Sequence, residues 1–174
     1  INSILNQSYK NLELLITDDA STDPTTLQLL QEFASKDNRV NILYLKENHG
    51  AGYARNQSIE RAKGRYIAFC DSVDRWTTDK LEKQIAFMNK KKCALSCASY
   101  IIFDGETQNE IGFCTAPKKI TYGMMKRDNK VGCLTAIYDI KMLGRKFFMP
   151  TIRKRHDWAL FLQIIKECKV CYSY

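Results

Sequence analysis

Three times in its first half the chain sets a short apolar run ahead of an amphipathic stretch, and that alternation limits the folds open to it. Leu12 to Thr17 is rich in Leu and Ile, as a buried strand is, and Leu27, Leu29, Leu30 and Phe33 then recur at helical spacing between Thr25 and Ser35. Asp23 stands where a cap is needed and Pro24 at the first turn. The pair returns as Val40 to Leu45 with Ala51 to Ala62, and again as Tyr66 to Cys70 with Asp79 to Asn89. Short connections of this kind favour parallel strands joined by right-handed crossovers, with helices on the sheet faces. The expected class is α/β, with a mostly parallel central sheet flanked by helices and a smaller region after it.

Beyond Asn89 the rhythm changes. Ala94 to Phe103 reads as a strand, Asp104-Gly105-Glu106 as a turn, Ile111 to Cys114 as a return strand and Tyr122 to Arg127 as a short helix. A strand from Cys133 to Tyr138 follows, then a short helical segment near Met142. A strong helix from Asp157 to Glu167 carries Leu160, Phe161, Ile164 and Ile165 on one side. Ile1 to Asn6 reads as the tail of a helix. With 174 residues, 45% of them apolar and 26% charged, the chain has material for one domain with a real core and is far from disorder. No apolar run approaches the roughly 20 residues that span a bilayer, and no basic-then-apolar leader opens the sequence, which reads as cytoplasmic.

Charge divides the chain. Through Phe87 there are 11 basic and 12 acidic residues; from Met88 onward there are 16 and 7, a net +9. Runs such as Lys90-Lys91-Lys92 and Arg153-Lys154-Arg155 suit a phosphorylated substrate or peripheral contact with an anionic membrane, and equally suit a solvated surface. No zinc-finger, helix-turn-helix or RNA-binding signature accompanies them, so no nucleic-acid partner is expected. The seven cysteines lie mostly in apolar surroundings and read as reduced, buried thiols, with Cys168 and Cys171 too isolated a pair for a zinc site.

In an open sheet, ligands gather beyond the carboxyl ends of the strands. There the sequence sets Asp18-Asp19-Ala20-Ser21-Thr22-Asp23 and Asp71-Ser72-Val73-Asp74-Arg75-Trp76. Clustered carboxylates need a cation, a donor-rich ligand or a cap; Asp23, before Pro24, reads as a cap, and Asp18 and Asp71 fit turns as well as sites. Between them, Asn48 to Asn56 is a glycine-containing loop entering a helix, without the spacing of a dinucleotide site, and no phosphate-binding P-loop is present. Arg55 sits in the first turns of that helix, within reach of a ligand. Asp157 opens the last helix, where a carboxylate caps the N-terminus and can also serve as a general base.

Taken in order, Ser3 to Tyr9, Asp18 to Asp23, Asn48 to Asn56, Lys63 to Phe69, Asp71 to Trp76 and Arg155 to Leu160 make the chain resemble the family 2 inverting glycosyltransferases of the GT-A fold, similar to bacterial enzymes of capsular or cell-wall polysaccharide synthesis. The resemblance implies a single catalytic domain over 1–174 that begins after the family's usual first strand. Residues 1–90 would bind a nucleoside diphosphate-sugar, usually a UDP-sugar, and 91–174 a saccharide or lipid-linked acceptor. Asp18 or Asp19 would take the base, Arg55 would assist nucleotide binding, Asp71 would belong to the nucleotide-sugar region and Asp157 would be the base. It also implies Mg²⁺ or Mn²⁺, but where relatives carry the metal aspartate this chain has Val73, leaving Asp74 as the nearest oxygen donor. A non-catalytic sugar-nucleotide-binding module of the same fold is the alternative that Val73 raises.

Overall fold

The computed structural model describes all 174 residues. A single turn of helix, α1 (Asn2–Leu5), is followed by β1 (Leu14–Asp18), α2 (Pro24–Lys36), β2 (Val40–Tyr44), α3 (Ala51–Arg61), β3 (Tyr66–Ala68) and α4 (Lys80–Lys91), so the three expected pairs form where the periodicity set them. The start of α2 is local chemistry: the Asp23 carboxylate accepts from the Thr25 and Thr26 N–H groups at 3.3 and 3.0 Å, and Pro24 has no N–H to leave unpaired. The second half contains β4 (Leu95–Cys97), β5 (Tyr100–Phe103), β6 (Glu110–Cys114), β7 (Lys119–Thr121), α5 (Tyr122–Arg127), a 3₁₀ turn (Cys133–Thr135), β8 (Ile137–Asp139), α6 (Ile140–Leu143), α7 (His156–Cys168) and β9 (Val170–Ser173).

The α/β class holds, but the sheet is mixed rather than mostly parallel. Strands β1 and β2 form a parallel pair, β5 and β6 a hairpin, and the other five an ordered sheet β3-β8-β4-β9-β7 in which only β4 and β9 run parallel. The reason lies in the second half. β8 returns between β3 and β4 and is antiparallel to both, and nothing in the periodicity of a three-residue strand encodes its direction. Ala94 to Phe103 also divides in two. Cys97 pairs with Ser173 in the large sheet and Tyr100 with Cys114 in the hairpin, and the break falls beside Ser99, whose Oγ accepts from the Ala116 N–H at 3.1 Å. The segment expected as a strand from Cys133 begins as the 3₁₀ turn, closed by a 2.9 Å bond from the Thr135 N–H to the Gly132 carbonyl.

Successive side chains of a strand face opposite ways, and β8 shows where the layers lie. Tyr138 packs with Leu160, Phe161 and Ile164 of α7 in a cluster of 17 buried residues, while Ile137 packs with Leu81, Ile85 and Met88 of α4 in a cluster of five. The large sheet is thus a middle layer with α7 on one face and α4 on the other. β1 is paired only with β2, and β3 only with β8, so each keeps an open edge. A cleft of about 1630 Å³ separates those strands, walled by Leu14 to Thr17 and Tyr66 to Ala68 with apolar residues of α2 and α4.

Candidate active site

The cleft is also where the acids meet. Asp19 follows β1, Asp71 and Asp74 follow β3, and all three line it together with Arg55 of α3. The two neighbouring aspartates part company here. Asp18, 8% exposed, accepts from the Ser21 N–H at 3.1 Å and closes the turn, and it is not among the cleft residues. The Asp19 carboxylate instead accepts from the backbone N–H groups of His49 at 2.8 Å and Gly50 at 2.7 Å, while Asn48 donates to its carbonyl. Gly50 takes φ 86°, a conformation open to glycine and strained for other residues. Asp19 therefore fixes the loop that leads into α3.

The loop after β3 is anchored from behind. Trp76 Nε1 donates to the Leu134 carbonyl at 2.9 Å, and Gln84 Nε2 donates to the Thr135 carbonyl at 2.9 Å. Lys80 Nζ donates to Gln84 Oε1 at 3.0 Å and lies 4.4 Å from the centre of the Trp76 ring. Within this loop, burial pushes the Asp74 carboxyl above the usual carboxylate range and the Asp71 charge pushes the same way.

Arg55 joins the halves. One Nη donates to Asp71 Oδ1, and the other lies 2.8 Å from His156 Nε2, across 101 residues of chain. Burial opposes the guanidinium charge, but the bond to Asp71 and the charges of Asp71 and Asp157 outweigh it and raise its hold on the proton. Asp157, half-buried, is in the first turn of α7, one residue past His156. Cys133 marks the same centre: burial, above all, pushes its thiol up to about 12, and the charges of Arg55, Asp71, Asp157 and Asp74 all bear on it. Asp71 is thus bonded to the guanidinium and Asp157 stands next to the histidine on its other side, outside the residues that line the cleft, while Asp19 holds the entry of the helix that carries Arg55. The loop from Met149 is tied to α3 as well, because the Asn56 side chain donates to the Met149 carbonyl and accepts from its N–H, at 2.9 and 2.8 Å.

Two carboxylates of the acidic loop offer oxygen to a hard cation, and Val73, 87% exposed, offers none. No three His, Cys, Asp or Glu side chains come together as a metal-binding group. The donor set nevertheless fits Mg²⁺ or Mn²⁺ arriving with a diphosphate, since such ions commonly take one or two carboxylates and complete their shell with phosphate and water. Asp71 keeps its second oxygen free of Arg55, and a cation would relieve the strain on Asp74.

The profile described as Glycosyl transferase family 2 matches residues 1–149. The chain belongs to that family. Among curated relatives it is 41% identical over 173 residues to the putative teichuronic acid biosynthesis glycosyltransferase TuaG of Bacillus subtilis (strain 168), covering 99% of this chain and 68% of that one. It is 39% identical over 167 residues to the UDP-Glc:alpha-D-GlcNAc-diphosphoundecaprenol beta-1,3-glucosyltransferase WfgD of Escherichia coli, covering 96% of this chain and 63% of WfgD. Among solved structures, S. aureus TarS 1-349 superposes with a TM-score of 0.74 at 22% identity, over 99% of this chain and 52% of TarS 1-349, which establishes the GT-A fold. The family match stops before Asp157, but the alignment with TuaG spans 99% of the chain.

His156 is the site residue that sequence reasoning passed over. Its signal was adjacency alone: it stands between Arg155 and Asp157 in a motif already singled out. No helix is long and apolar enough to cross a membrane.

Proposed function

We propose that the protein transfers a sugar, with inversion, from a nucleoside diphosphate-sugar to a saccharide or lipid-linked acceptor in surface-polysaccharide synthesis. The bond from Arg55 to Asp71 at the rim of the cleft, with His156, the neighbour of Asp157, against the other side of the guanidinium, carries this reading. In support, WfgD is named for a UDP-glucose donor and a diphosphoundecaprenol-linked acceptor, and TarS has been solved with UDP and with UDP-GlcNAc. UDP-sugars are accordingly the expected donors. Residues 1–90 would hold the donor and 91–174 the acceptor, and a lipid-linked acceptor would bring the protein to the cytoplasmic face of a membrane.

On this reading Asp19 meets the base and Arg55 the phosphates. Asp157 takes the proton from the acceptor hydroxyl as its oxygen bonds to the anomeric carbon, and the bond from that carbon to the diphosphate oxygen breaks on the opposite side. A helix N-terminus favours the ionised carboxylate that this step needs. Asp71 and Asp74 would hold a divalent cation, which would neutralise charge on the departing diphosphate; PcManGT, of the same fold at a TM-score of 0.69, was solved with GDP-Man and Mn²⁺.

The test is a calorimetric screen of nucleoside diphosphates and their sugars with and without Mn²⁺, followed by product analysis with a diphospholipid-linked saccharide. Binding of UDP compounds and product of inverted configuration are expected. UDP binding without transfer to any acceptor would instead identify the non-catalytic module that Val73 suggests. No nucleotide binding at all would overturn the proposal.

A further inference from the structure

A guanidinium carried on a helix has several rotamers, and the donor reading requires one of them to be held. Arginine donates hydrogen bonds and has no lone pair to offer. At 2.8 Å from Arg55 Nη1, His156 Nε2 is therefore the acceptor, and the ring is the neutral Nδ1–H tautomer for as long as the contact lasts. His156 and Asp71 together engage two of the five guanidinium N–H groups. Three are left.

The seat of the ring is built from the other side. Gly52 lies one turn before Arg55 on α3, and a Cβ there would stand 3.2 Å from His156 Cγ. Glycine inside a helix costs about 1 kcal/mol relative to alanine; here the missing side chain is the space the imidazole occupies. From α7, Arg155 at φ 61° makes the turn into the helix and His156 is its first residue.

We propose that His156 is a positioning residue for the donor: its Nε2 lone pair holds Arg55 across the seam between the halves and leaves guanidinium N–H groups free to bind the phosphates of the nucleotide. The inference rests on the donor reading above. It divides two adjacent residues by role. Loss at His156 shows in donor affinity, and loss at Asp157 shows in turnover.

Two measurements test it. The chain has two histidines, so long-range proton–nitrogen NMR of the imidazoles in mildly alkaline buffer, with His156→Gln to assign them, reads the tautomer without any nucleotide. The Nδ1–H form at His156 is expected, and the Nε2–H form overturns the proposal whatever UDP does. Calorimetry with UDP then compares variants whose folding is checked by circular dichroism. His156→Phe fills the seat but accepts nothing, and its affinity should fall roughly tenfold to a hundredfold, the range of a hydrogen bond to a charged group. His156→Gln, whose amide oxygen can accept from Arg55, should recover most of that loss. Equal affinity in His156→Phe and the parent chain overturns the proposal while leaving the donor reading intact. Absence of UDP binding in the parent chain overturns both.

Discussion

Lys80 supplies the sharpest test of the scaffold behind the site. It is 6% exposed and its Nζ has Gln84 Oε1, at 3.0 Å, and the Trp76 ring for company, with no carboxylate paired to it. Burial pulls its pKa from the ordinary 10.5 down to about 7. An unfolded Lys80 keeps the ordinary value, so from about pH 7 to 10.5 the unfolded chain holds a proton that the folded chain has released. Stability must therefore rise with pH across that window, and below it both states are charged and the whole penalty is felt. At about 1.4 kcal/mol for each tenfold change in proton affinity, the penalty reaches at most about 5 kcal/mol. Lys80→Met replaces the ammonium with an apolar chain of similar length and leaves Gln84 short of one donor, which costs about 1 kcal/mol. The net expectation is a gain of about 2–4 kcal/mol at mildly acidic pH that fades as pH approaches the upper end of the window. Guanidinium denaturation followed by Trp76 and Trp158 fluorescence at several pH values measures it. Parallel stability curves for the two proteins would show that the ammonium reaches water and that the argument from burial is wrong.

Asp157→Asn should lower turnover by about 10²–10⁴-fold, the range for a general base, with UDP affinity unchanged by calorimetry. Val73→Asp adds the missing oxygen donor beside Asp74 and should make UDP bind about tenfold tighter in Mn²⁺ than in a chelator; no difference between the two buffers would place the cation elsewhere. Asp139, 1% exposed, is paired in fork geometry with Arg65 and caps α6 through the Lys141 and Met142 N–H groups, so Asp139→Asn should lower stability by about 2–4 kcal/mol in urea titrations.

The first half was legible because its elements repeat a pattern long enough to read. Leu27, Leu30 and Phe33 recur over nearly two turns, and the Asp23-Pro24 pair states where the helix begins. In the second half β7 and β9 have three and four residues, less than a strand needs to display alternation, and they went unread. Ala94 to Phe103 misled for the opposite reason: its apolar run is interrupted only by Ser96 and Ser99, yet Cys97 is fully buried in the large sheet while Phe103, in the hairpin, is half exposed. Continuity of hydrophobicity says that residues avoid water and is silent about which sheet shelters them.

The site obeys the same logic at longer range. Asp19, Asp71 and Asp157 were findable because aspartates after strands and at helix starts are conspicuous, and each acts on a partner the sequence cannot point to: Asp19 on His49 and Gly50, Asp71 on Arg55, Asp157 beside a histidine that meets Arg55. What brings these partners together is apolar. α7 is fastened to the large sheet by Leu160, Phe161, Ile164 and Ile165, all fully buried, and its Trp158 Nε1 donates to the Met125 carbonyl at 2.7 Å. With those anchors fixed, the first turn of α7 has little freedom, and His156 and Asp157 are carried to Arg55 by packing that begins three residues further along the helix. The polar site is thus the free end of a buried helix, and its geometry is set by side chains that touch no substrate.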